Sequence, residues 1–145
     1  MKKLQVEKAG RLNLHKEISL FEEENDIEFP KYYREFLLSQ NPYIVKENLY
    51  KIAGEEYEIH HFYPFDSEME LSAQKVFEDL NDFFESKYFA FGDDVGGWLF
   101  VVSIQKKDYG KIYFCRMDEA IEDGLTILAD DFKHFINNLE VSPIN

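Results

Sequence analysis

The stretch Phe89-Ala90-Phe91-Gly92-Asp93-Asp94-Val95-Gly96-Gly97-Trp98-Leu99-Phe100-Val101-Val102-Ser103-Ile104 decides how this chain folds. It reads as a short aromatic strand, a turn carrying paired acids, and a longer strand that is apolar on both faces. Such a strand belongs at the centre of a sheet covered on both sides. Gly92, Gly96 and Gly97 are expected to supply backbone angles that a side chain would forbid, as tight turning requires. A charged turn from Lys106 to Gly110 then returns the chain into Lys111-Ile112-Tyr113-Phe114-Cys115-Arg116-Met117, a second strand. The remainder reads as covering, edging or surface for this sheet.

Outward from that stretch, the aromatic load is heavy: 14 Phe, 9 Tyr and 1 Trp among 145 residues. Each aromatic buries much area, so few elements suffice for a firm core. The length suits one compact domain, residues 1–145, with its core over 14–140. The lone Cys115 excludes an internal disulfide and suits a reducing compartment. Met1-Lys2-Lys3 is basic, but no apolar run follows it, so no signal peptide is expected. No run of about 18 apolar residues marks a membrane span. These readings place the chain in the cytoplasm. The balance of 29 acids against 16 bases, formally −13, sets a field that repels nucleic acid and anionic membrane and draws in basic partners.

Leu14, Ile18 and Phe21 recur at helical spacing and predict a first helix; residues 1–10 carry too little pattern to place, a ragged start to that helix being one option. The acids of Glu22-Glu23-Glu24-Asn25-Asp26 sit badly at the negative end of a helix and are expected to be solvated. Pro30 opens a second helix with Tyr33, Phe36 and Leu37 inward, and Asn41-Pro42 stops it. From Asn48 to Phe65 the period drops to that of a strand. Tyr50 and Ile52, then Tyr57, Ile59 and His61, alternate with polar neighbours around a turn at Gly54-Glu55. This predicts a hairpin with one wet and one covered face, ended by Pro64. Ser72 is the expected cap of a helix carrying Val76, Phe77, Leu80, Phe83 and Phe84. Asp130 is the expected cap of a closing helix with Phe132, Phe135, Ile136 and Leu139 inward. The sum is an α+β domain, a central antiparallel sheet flanked by about four helices.

No catalytic constellation emerges. Asp93 and Asp94 are too few carboxylates for calcium, and the neighbouring glycines are not in a phosphate-loop frame. A sharp strand-to-strand turn with exposed acids is expected there. His60 and His61 are adjacent, so on a strand they would point to opposite faces and could not share one ion. His15 and His134 each stand alone on helices, without partners at ligand spacing. Cys115 lies in an aromatic strand and reads as a small buried apolar residue. No catalytic residue, cofactor or metal is expected. What remains are the acid-dense segments 22–28, 66–85 and 118–131. Beside them stand Tyr63, Phe65 and Trp98, aromatics around which acids could form the rim of a protein-binding patch. Trp98, following Gly96-Gly97 at a strand start, fits either core or interface.

Several motifs, in this order, resemble one known family. Phe29-Pro30-x-x-Tyr33-x-x-Phe36-Leu37 is similar to the proline-led helix of the SUKH superfamily, the domain of fungal cell-wall assembly regulators and many bacterial immunity proteins. Phe89-x-Phe91-Gly92-Asp93-Asp94-x-Gly96-Gly97-Trp98 resembles its core strand and glycine turn, and Gly110-x-Ile112-Tyr113 its next strand. Leu128-Ala129-Asp130-Asp131-Phe132-x-x-Phe135-Ile136 resembles its closing helix. The pieces span about residues 14 to 140. Asn41-Pro42-Tyr43 departs from the Asn-Gly that commonly follows the proline-led helix, so a differently shaped loop is expected there.

The resemblance implies a non-enzymatic binding domain, which in bacteria usually acts as an immunity protein against a cognate toxin. An acidic protein suits a nuclease toxin with a basic active-site cleft, charge speeding capture and packed aromatics slowing release. On that reading Tyr63, Asp66, Glu68, Glu70, Asp93, Asp94 and Trp98 are the expected toxin-binding residues. A regulatory protein-interaction domain without a toxin partner is the competing reading, and a hydrolase using paired acids or His60 the third. Nothing in the sequence selects an oligomeric state. Reversing Asp93 and Asp94 together to Lys is expected to slow association with the toxin at low salt. Unchanged association kinetics would remove those acids from the interface.

Overall fold

In the computed structural model, which describes residues 1–143, helices alternate with short strands. Strand β1 (Val6–Ala9) pairs antiparallel with β2 (Pro42–Val45), and between them run α1 (His15–Asn25) and α2 (Lys31–Ser39). A hairpin follows, β3 (Glu47–Ile52) and β4 (Glu55–Glu58). Then β5 (His61–Phe62), β6 (Tyr88–Asp93), β7 (Leu99–Ser103), β8 (Ile112–Cys115) and β9 (Leu125–Ala129) lie side by side in chain order as one antiparallel sheet. Helix α3 (Ala73–Phe84) fills the connection from β5 to β6, and the short α4 (Ile121–Gly124) that from β8 to β9. Helix α5 (Phe132–Asn137) precedes β10 (Glu140–Val141), which adds a third strand to the hairpin by pairing with β3. The fold is a single α+β domain, with α4 as the helix beyond those expected.

The central strand is β7, buried at every residue, as its two apolar faces require. The core gathers on β6 beside it. Phe89 and Phe91 share one face of the strand, both rings lying against Tyr33 of α2, although the pairing with β7 is irregular at Phe91. The Phe89 ring lies 5.4 Å from Phe77 of α3 and 5.7 Å from Tyr33 of α2. Phe21 of α1 lies 6.2 Å away, and Phe29, in the α1–α2 link, 4.8 Å away. Phe91 meets Phe132 and Phe135 of α5 at 5.0 and 5.5 Å. Most of these are edge-to-face contacts, the arrangement the ring quadrupole favours, worth about 1 kcal/mol each beyond the area buried.

Local chemistry explains where elements start and turn. Ser72 caps α3 as expected, its hydroxyl accepting the Lys75 N–H at 3.2 Å. The closing helix is capped by Asp131, which accepts the His134 N–H at 2.7 Å, and not by Asp130. The hairpin turns at Ala53-Gly54, both with positive φ (51° and 80°), a residue earlier than expected. Of the turn glycines only Gly97 (φ 89°) needs a left-handed backbone. Gly92 is required for another reason: a Cβ there would stand 2.7 Å from the His61 carbonyl oxygen, so only glycine lets β5 approach. At Gly96 a Cβ would meet nothing closer than 3.6 Å.

The first third differs most from expectation. Residues 6–9 form a strand, not the approach to a helix. Leu14 sits at the N-cap of α1, 63% exposed, while Ile18 is fully buried and Phe21 half-buried. Glu22, expected in solvent, is buried: its carboxylate pairs with Arg34 and accepts the Phe29 N–H at 2.7 Å. One acid thus ties α1 to α2 and to the link between them. Pro42 does not merely stop α2, since it opens β2. Asn41, fully buried with φ 43°, accepts the Phe65 N–H and donates to the Arg11 carbonyl, both at 2.7 Å, joining three chain segments through one side chain. Glu22→Ala would strand the Arg34 guanidinium and a buried N–H. We expect it to cost about 3 kcal/mol in urea unfolding, against about 0.5 kcal/mol or less for Glu23→Ala on the exposed side of the same turn.

Candidate functional site

The hairpin β3–β4, strand β2 and the turn from β6 to β7 enclose a cleft of about 700 Å³. Its floor is aromatic. Tyr57 of β4 reaches across to Phe114 of β8 at 5.1 Å, and Trp98 packs on the same ring at 6.0 Å. Alternation along β4 makes this possible: Tyr57 turns inward while Glu56 and Glu58 remain exposed at the rim. Asp94 adds a third acid, and Val95, 86% exposed, stands at the tip of the turn. Among the described residues no Lys or Arg lines the cleft. An aromatic floor inside an acidic rim has the make-up of a protein-binding patch, apolar at its centre and polar at its edge.

The turn that carries Trp98 is held by its own acid. Asp94 Oδ1 accepts the N–H groups of Gly96 at 3.0 Å and Trp98 at 2.9 Å, and the Asp94 N–H donates to the Trp98 carbonyl at 2.9 Å. Trp98 is half-buried, packed on Phe114 beneath and open to the cleft, so it serves both core and surface. Asp93 turns the other way. Its Oδ2 accepts the Tyr63 hydroxyl at 2.8 Å and its Oδ1 lies 3.2 Å from His61 Nδ1. Burial first, and the neighbouring Asp93 second, push the Tyr63 phenol far above its ordinary range, so it remains a donor. The acids expected to be displayed by this turn are therefore hydrogen-bonded parts of it.

The histidines do not point apart. His60 occupies a bend ahead of β5 and not a strand position, so the alternation rule does not apply, and the two imidazole centroids lie 4.0 Å apart. Tyr43 stacks on His61 at 4.7 Å with rings within 3° of parallel, a use for the residue after Asn41-Pro42. Both histidines line the cleft.

Of the residues singled out from sequence, Asp94 and Trp98 line the cleft. Tyr63 and Phe65 are buried. Asp66 is 6% exposed, its carboxylate accepting the N–H groups of Glu68 at 3.1 Å and Arg11 at 3.3 Å, so it organises its loop. Glu68 and Glu70 are exposed but lie on that loop, outside the cleft. Sequence reasoning missed Glu56, Tyr57, Glu58, Val95 and Phe114 as one surface. The signal for the first three was the strand alternation itself, read only as a wet face over a covered one.

The family model of the SMI1 / KNR4 family (SUKH-1) matches residues 14–138. The chain belongs to this family. SUKH membership places it among immunity-protein and SMI1-like domains. The match runs from the N-cap of α1 to the end of α5 and leaves out β1 and β10, the strands that edge the two smaller sheets. No curated protein is significantly similar to this SUKH chain. No helix among its described residues is long and apolar enough to cross a membrane.

Cys115 contributes no nucleophile to this surface. It is fully buried, and burial pushes its thiol up to about 11. The native protein is expected to leave a disulfide reagent unreacted at about pH 8, with one equivalent released only after denaturation. Rapid reaction of the folded chain would show that β8 opens readily.

Proposed function

We propose that this protein is an immunity protein that binds and neutralises a cognate polymorphic toxin, with the acid-rimmed aromatic cleft as its contact surface. The cleft carries the reading: Trp98, Tyr57 and Phe114 offer apolar area to bury, and Glu56, Glu58 and Asp94 select for positive charge. SUKH membership supports a protein partner, and the net charge of −13 supports a basic one. A nuclease fits best, because a basic active-site groove that grips phosphates presents the complementary surface. Binding there blocks the toxin by occupation, so the reading asks for no catalytic group in this chain. The acidity that attracts such a groove disfavours nucleic acid and anionic membrane as partners. The protein would act in the cytoplasm, where a nuclease toxin does its damage.

Charge and packing play separable roles in this scheme. Long-range attraction raises the rate of encounter and weakens as salt shortens its reach, whereas aromatic burial governs how slowly the complex parts.

The test is rescue of cells that express a toxin domain encoded beside this gene, followed by binding kinetics with the purified pair. Glu56→Lys with Glu58→Lys is expected to slow association about tenfold at low salt, with the difference shrinking as salt rises. Val95→Arg is expected to hasten dissociation. All these positions are exposed, so the fold is left alone. Rescue that survives both variants would remove the cleft from the interface. Absence of rescue by the wild type would favour the regulatory interaction domain instead.

A further inference from the structure

We infer that His60, His61 and Asp93 form a binding site for a late first-row divalent metal ion, Zn(II) by preference, at the wall of the cleft. One ligand atom from each residue lies within 4.8 Å of the other two. A tetrahedral ion with bonds of about 2.0–2.1 Å spaces its ligand atoms about 3.4 Å apart. His61 Nδ1 and Asp93 Oδ1, at 3.2 Å, already stand at that spacing. Only His60 has to close in, and it is the exposed member, on a bend, with rotamer freedom to do so.

The backbone fixes the other two. His61 and Asp93 are directly paired across β5 and β6, and the His60 N–H donates to the Asp93 carbonyl at 2.8 Å. This close pairing exists because Gly92 has no Cβ to hold β5 away. Outer contacts orient the ligands in the way metal sites require. The Tyr63 hydroxyl occupies Asp93 Oδ2 and leaves Oδ1 for the ion, while Tyr43 stacked on His61 holds that imidazole in plane. An ion placed here would sit between His61 Nδ1 and Asp93 Oδ1 in place of their direct contact.

Donor chemistry selects the ion. Two imidazoles and a carboxylate suit zinc or its neighbours in the late first row, whereas calcium and magnesium demand more oxygen ligands than the site offers. Three protein ligands leave coordination open. Both imidazoles line the cleft, so the unfilled position faces it and is available to water or to a donor atom of whatever occupies the cleft. The inference does not depend on who that occupant is.

Calorimetric titration of the full chain with zinc chloride tests it. Expected are saturation at one ion per chain, a rise in thermal midpoint reversed by a chelator, and no comparable heat from calcium or magnesium. His60→Ala, at an exposed position, should weaken zinc binding by at least about tenfold without changing the circular dichroism, and Tyr63→Phe by about tenfold through loss of the outer contact. Cobalt should give visible ligand-field bands without thiolate charge transfer. The inference is overturned by the absence of saturable zinc binding, by binding that His60→Ala leaves intact, or by a thiolate signature, which would place the ion at Cys115.

Discussion

Two rings on one face of one strand hold this fold together. Phe89 gathers α1, α2 and α3 around itself, and Phe91 gathers α5, while Phe100 of β7 lies 6.3 Å from the Phe91 ring. Every helix of more than one turn therefore rests on a dipeptide spacing in β6. Interiors are packed to crystal density, so moving either ring shifts several elements at once. The same strand continues through Gly92 and Asp93 into the turn that ends at Trp98. The turn that enters the cleft is thus a direct extension of the strand that carries the core, and it is positioned by the packing behind it.

The acids of this protein do different work according to what surrounds them. Glu22 and Asp66 are buried and hold chain segments together through N–H groups and, for Glu22, a guanidinium. Asp93 and Asp94 shape the turn. Glu56 and Glu58 hold nothing together and are free to face a partner, the single contact of Glu58 being a long 3.5 Å one from Asn48. Net charge, a sum over all of them, says only that basic molecules are attracted. Which acids meet a partner depends on which carboxylates the fold has not already used, and that is a property of the structure.

This distinction also explains what could be read from the chain. The β6–β7 pair, the burial of β7 and the stripe on α3 were legible because each follows from local periodicity and turn chemistry. The strands β1, β2 and β10 were not: each is at most four residues long and exists through a partner remote in sequence. Glu22 was misread because helix-dipole reasoning sees only its own helix, whereas Arg34 reaches it from the next one. His60 and His61 were misread because the alternation rule presumes a strand at both positions, and a bend occupies one. Among the site residues, Trp98 and Asp94 announced themselves through the turn. Phe114 gave no sign, since its meeting with Tyr57 across two sheets is a tertiary event.

The hairpin that forms the far wall of the cleft is clamped, not free to swing. Tyr50 is buried, its ring 4.7 Å from Phe135 and its hydroxyl donating to the Leu128 carbonyl at 2.6 Å, and β10 covers the β3 edge. Tyr57 fastens the second strand to Phe114. With both strands anchored from one face, the residues that alternate outward bear no structural duty, and exposed positions of this kind tolerate exchange within about 0.5 kcal/mol. If the cleft is the contact surface, as proposed, partner selectivity is set at Glu56, Glu58 and Val95 while the scaffold stands. Asp94 and Trp98 are different: they are committed to the turn as well as to the cleft, so a change there alters shape and charge together. On that proposal, a binding protein gains from having the carboxylates free to choose a partner separate from those that hold the fold.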